Sequence, residues 1–191
     1  MPFDPTSGAV DVVMGLAALA TLVILIRSRR TFFDLDFTAE DKRLATQAAV
    51  FLIPPIVVLI HELGHVVAVL AVGGQVTSFH YGVFEGAVGF VGNITPAQDW
   101  FISLAGNLFG AATGLILVGV GLRGSRLRPG LRYMLILGGT LQVGYALIGY
   151  PVLSLTSSWG DWVVIYDFSA TPGLSWATAV GHGAILIKLW Q

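Results

Sequence analysis

The chain contains no cysteine. That absence excludes a disulfide framework, a thiolate zinc site and a thiol nucleophile, and it leaves His, Asp and Glu as the side chains able to hold a transition metal. Charge is also scarce: Asp, Glu, Lys and Arg make up 11% of the 191 residues and the formal net charge is −1. A nucleic-acid surface needs a dense basic patch, so no nucleic-acid partner is expected. There is no internal repeat, low-complexity tract or sign of a second domain, so 1–191 reads as a single membrane-embedded domain.

What the chain has in excess is apolar surface. Hydrophobic residues make up 55%, and the mean hydropathy is +0.80. Crossing a ~30 Å hydrocarbon core takes ~20 helical residues. Five segments approach that length, at about 8–26, 48–72, 100–122, 131–153 and 173–190. The expectation is an all-α polytopic membrane protein of about five spans. The leading "MPFDPTSGAVD" is acidic and carries no Lys or Arg, so the first segment reads as a retained span and not as a secretory signal.

Lys and Arg accumulate in cytoplasmic loops. Arg27, Arg29, Arg30, Lys42 and Arg43 lie between spans one and two, Arg123, Arg126, Arg128 and Arg132 between or just inside spans three and four, and Lys188 near the C-terminus. Five spans put all of these on one side, which predicts a cell-membrane protein with its N-terminus outside and its C-terminus cytoplasmic. The 73–99 connection is punctuated by glycine and rich in Val, Phe and Tyr, a pattern that predicts a small β-hairpin.

The second span carries "VLIHELGHVVAVL". His61 and His65 are four residues apart, so on a helix they share one face a turn apart and can grip one ion together. Glu62 lies about 100° round the axis, where it reaches a water on the metal and does not compete as a ligand. This is the logic of HExxH: two imidazoles bind Zn²⁺ and the glutamate acts as general base. The plainer alternative is a set of buried polar residues bonded to neighbouring helices. Three ionisable groups in little more than one turn of a membrane helix, each costing a few kcal/mol, favour the metal. Pro54 and Pro55 predict that the straight part of this helix begins there, after a bent "AAVFLI", and Gly73 and Gly74 predict its end.

Taken with the Gly-rich strand-like segment after the motif, "SLAGNLFGAATGL" at 103–115 and an Asp-containing segment about a hundred residues downstream, "HELGH" makes residues 50–170 resemble the site-2 protease family of intramembrane zinc metallopeptidases. The resemblance implies cleavage of a transmembrane substrate protein within the lipid bilayer. It also implies a third zinc ligand from an aspartate near a later helix. Asp161 and Asp167 in "GDWVVIYDF" are the candidates, with Asp161 preferred; His80, Glu85, His182 and no protein ligand stay open. Gly160 precedes Asp161, whereas the family's glycine follows its aspartate. The family generally turns its hairpin and zinc towards the cytoplasm, while the charge count here puts the hairpin outside.

Gly106, Gly110 and Gly114 recur every four residues and predict a ridge for close helix packing. Asn107, beside that ridge, is a candidate contact to the substrate backbone or oxyanion, a role the resemblance suggests. The hairpin edge is a candidate for pairing with an unwound substrate strand. The expected activity is zinc-dependent peptide hydrolysis in or near membrane spans. The rivals are a membrane zinc hydrolase acting on lipid and a non-catalytic assembly protein of the same fold. Membrane di-iron chemistry needs many more than the four histidines present.

Overall fold

The computed structural model describes residues 5–191, with side chains described from Asp11 onward. Most of the leading acidic stretch therefore lies outside the described side chains. The elements run α1 (Pro5–Arg27), α2 (Arg29–Phe32), α3 (Ala39–Phe51), α4 (Ile53–Ala71), β1 (Gln75–Gly82), β2 (Glu85–Val91), α5 (Pro96–Arg123), α6 (Pro129–Gly144), a π-helical turn (Tyr145–Gly149), α7 (Tyr150–Ser157), α8 (Asp161–Ile165) and α9 (Pro172–Trp190). Three helical stretches among the described residues are long and apolar enough to cross a membrane: Ala39–Ala71, Pro96–Arg123 and Pro129–Ser157. They coincide with the second, third and fourth predicted spans. Helices also occupy the first and fifth, as α1 and α9. The predicted hairpin is present as the two-stranded pair β1–β2.

The chain divides into two compact units, each assembled from three separate segments. In the first (1–59, 80–87 and 112–142), Phe32, Leu44 and Ala45 are buried together, with Ile24, Leu25, Tyr133 and Met134 packed against them. Gln47 Nε2 donates to Thr21 Oγ1 at 3.1 Å, and that hydroxyl donates to Ala17 O at 2.8 Å, so the buried Thr21 hydroxyl is satisfied. Thr38 and Asp41 form a capping box at the start of α3: Asp41 N donates to Thr38 Oγ1 at 3.1 Å and Thr38 N donates to Asp41 Oδ2 at 2.9 Å. Such caps stabilise a helix start by ~1 kcal/mol. Asp11 accepts from Val83 N at 3.1 Å and Phe84 N at 2.8 Å, so a carboxylate on α1 satisfies the turn of the hairpin. Arg132 Nε donates to Gly121 O at 2.9 Å, using one of the carbonyls that the last turn of α5 leaves open. Gly114 meets its neighbour closely, as the ridge predicts: a Cβ on Gly139 would lie 2.6 Å from Gly114 O.

In the second unit (60–79, 88–111 and 143–191), Ala68, Val69, Ile102 and Ala105 form the buried cluster, bordered by Val72, Val76, Phe90 and Ile94. The small side chains let α4 and α5 come close, and a Cβ on Gly64 would lie 3.0 Å from Ala105 O. The opposite face of α4 is apolar and exposed at Leu63, Val67 and Leu70. α4 starts at Ile53, immediately after the break at Leu52, so Pro54 and Pro55 fall in its first turn, where their missing N–H groups leave no hydrogen bond unmade. It ends in a Schellman motif. Gly73 takes φ +80°, Gly74 N bonds Val69 O at 2.9 Å and Gly73 N bonds Leu70 O at 3.2 Å.

Candidate metal centre

The site begins on α4. One helical turn puts His61 and His65 side by side, with their rings edge to face at 84° and centroids 4.7 Å apart. Gly106 on α5 makes room for both, since a Cβ there would collide with the His65 ring and lie 2.9 Å from His61 Nε2. The glycine ridge read from the sequence therefore does two things: at Gly114 it admits another helix, and at Gly106 it admits two imidazoles. His65 is buried, and its Nδ1 lies 2.8 Å from Ile102 O. A carbonyl only accepts, so Nδ1 carries a proton, and loss of the Nε2 proton leaves a neutral ring whose lone pair there is free for a metal.

The third side chain comes from α8. Gly160 takes φ +95°, a conformation that L side chains rarely adopt, and turns the chain so that Asp161 opens the helix. A Cβ at Gly160 would also lie 2.9 Å from Tyr150 Oη and 3.0 Å from Ser154 Oγ. Asp161 N donates to Tyr150 Oη at 3.2 Å, which ties the segment back to α7. Asp161 Oδ2 then lies 3.1 Å from His61 Nε2 and 3.3 Å from His65 Nε2, and the two Nε2 atoms are 3.0 Å apart. Burial opposes ionisation of Asp161, but its bonds to His61 and His65 outweigh that and hold the carboxyl well below the usual carboxylate range.

Three electron-pair donors thus converge in one partly buried cluster, His61 Nε2, His65 Nε2 and Asp161 Oδ2, and together they can hold a metal ion. A proton can bridge only one pair of them, whereas a central cation satisfies all three. The separations of 3.0, 3.1 and 3.3 Å come close to the about 3.3–3.4 Å between donors ~2.0–2.1 Å from a tetrahedral ion. Glu62, one residue beyond His61, is buried and lies within electrostatic range of His65 and Tyr150.

The other candidate residues lie elsewhere. Asp167 accepts from Ser169 N at 2.9 Å, Ser169 Oγ at 2.5 Å and Ala170 N at 3.0 Å, shaping the turn before α9. The Ser169 hydroxyl and the two backbone N–H groups lower its pKa. His80 and Glu85 face each other across the hairpin at 4.0 Å, on exposed and half-buried positions. His182 bonds Tyr166 Oη and Leu147 O, each at 2.6 Å. Asn107 is 5% exposed, and its amide is engaged at both ends: Nδ2 donates to Ser103 O at 2.9 Å and to Asp161 Oδ2 at 2.8 Å, while Oδ1 accepts from Trp162 Nε1 at 3.0 Å. A substrate contact by Asn107 requires one of these bonds to be exchanged. Sequence reasoning missed Trp162 and Tyr150. The adjacency of Trp162 to Asp161 was a visible signal; nothing in the local pattern marks Tyr150.

No family model, curated protein or solved structure matches this chain.

Proposed function

We propose that this protein is a zinc-dependent intramembrane endopeptidase of the site-2 protease type, hydrolysing peptide bonds in or near the transmembrane segments of substrate proteins. The observation that carries the reading is the meeting of His61, His65 and Asp161 around one point, with Glu62 buried beside them. Two imidazoles and one carboxylate, without a thiolate, are a catalytic type of zinc set that leaves a fourth position open. A bound zinc ion would supply Lewis acidity to a water and to the scissile carbonyl.

The chain's own residues carry the remaining steps. His65 is kept in one tautomer by Ile102 O, and Asp161 closes the ligand set. Glu62 accepts the proton of the attacking water and returns it to the leaving amine, a step worth ~10²–10⁴ in rate for a well-placed base. A helical substrate must unwind locally first, because its carbonyls are tied up in hydrogen bonds; Asn107 and the hairpin edge are candidate contacts for the unwound strand. In this reading α1 and α9 also span the bilayer. The five spans put the basic loops and C-terminus in the cytoplasm and the N-terminus outside.

The test uses the purified full-length protein in liposomes with a panel of single-span membrane proteins. Glu62→Gln should keep one zinc per chain and lose at least about a hundredfold in cleavage rate. Cleavage at the wild-type rate by that variant, or a wild type that binds zinc and releases only lipid head groups, rules the proposal out.

A further inference from the structure

The orientation of the Asn107 amide is dictated by its partners. An indole N–H can only donate and a carboxylate can only accept, so Oδ1 must face Trp162 and Nδ2 must face Asp161. The opposite flip would set oxygen against oxygen at Asp161 and N–H against N–H at Trp162. Two other partners agree with Asp161 on that orientation: Ser103 O accepts from Nδ2 at 2.9 Å, and the indole is the one partner that holds Oδ1; the indole is itself held firmly. Trp162 is buried and stacks on His182, with centroids 4.8 Å apart and planes at 30°. His182 is fixed in turn: Nε2–H donates to Leu147 O in the π-helical turn, and Nδ1 accepts from Tyr166 Oη, each at 2.6 Å.

We propose that Trp162 and Asn107 form a positioning pair for the third metal ligand: the indole N–H sets the amide, and the amide holds Asp161 Oδ2 at the point it shares with His61 and His65. This rests on the metal site proposed above. The Asn107 bond occupies one lone-pair direction of Oδ2 and leaves the other towards the histidines, so the oxygen presented to the ion does not have to be ordered on binding. His182 acts one step further out, through the face of the indole. In this account a histidine on the last helix and a π-helical turn contribute to metal affinity without touching the metal.

The experiment measures zinc affinity of the full-length protein in detergent by competition with a chromophoric chelator, together with the visible spectrum of the Co²⁺-loaded form. Asn107→Ala should weaken zinc binding by about 10–100-fold. Trp162→Phe keeps an aromatic ring on His182 but removes the N–H, and it should weaken binding several-fold and shift the Co²⁺ bands. In the Asn107→Ala background, Trp162→Phe should have no further effect, because its influence passes through the amide. An equal loss from Trp162→Phe in both backgrounds means general packing and overturns the proposal, as does an unchanged affinity and spectrum in that nearly isosteric variant alone. A wild type that binds one ion while the variants match it removes this proposal and leaves the metal site standing. A wild type that binds none removes both.

Discussion

The HELGH turn of α4 and the segment around α8 contribute to the same centre by opposite routes. On α4 the chemistry is local: a four-residue separation and a regular helix suffice to place two imidazoles together. On α8 nothing local places Asp161. Its position depends on Gly160 at φ +95°, on Tyr150 Oη bonding its backbone N–H, and on Asn107, 54 residues earlier, bonding its carboxylate. The helix half of the cluster can thus be encoded in five residues, while its third member needs partners from several elements.

The sharpest way to break this comparison is to remove the closing ligand. Asp161→Asn should reduce zinc affinity by more than about a hundredfold and abolish turnover while α4 stays intact, read by metal stoichiometry and circular dichroism. Its pH dependence gives a second reading on metal-free protein. Because folding lowers the Asp161 pKa, the stability it contributes is fully present above the unfolded value of ~3.9 and drains away as pH falls through the folded value. The stability gap between wild type and Asp161→Asn should therefore narrow as the pH falls into acid below ~pH 4.

A smaller effect is expected on the α4 side from Gly106→Ala. The new methyl meets the His65 ring and His61 Nε2, so overpacking should cost ~1–3 kcal/mol of stability and lower metal affinity. On the α8 side, Gly160→Ala forces an L side chain to positive φ against Tyr150 Oη and Ser154 Oγ, and should cost ~1–2 kcal/mol. The smallest effect should come from Asp167→Asn: it weakens an exposed turn, leaves zinc stoichiometry unchanged, and lowers the melting temperature by a few degrees at most.

Much of the fold could be read in advance because helices long and apolar enough to cross a membrane declare themselves in the sequence. Pro54, Pro55, Gly73 and Gly74 fall where their backbone preferences demand, at the first turn and the Schellman end of α4. The π-helical turn at Tyr145–Gly149 and the five-residue α8 were not legible, since neither leaves a periodic signature long enough to recognise. The glycine ridge was legible as a packing surface, but its use at Gly106 as a seat for the histidines was not, because that requires knowing which helix lies opposite. Asn107 stood out as a polar residue in an apolar run; its attachment to Asp161 and Trp162 depends on two residues more than fifty positions away.

By itself, then, the sequence determined the apolar helices, the hairpin and the paired imidazoles with their neighbouring glutamate, because each follows from spacing within one element or from side-chain chemistry. Tertiary structure alone decided that Asp161 and not Asp167 meets the histidines, and how its carboxylate is held. The physical reason is that Asp167 is satisfied within its own turn, by Ser169 and Ala170, whereas Asp161 is met by groups from distant parts of the chain: two imidazoles and the Asn107 amide.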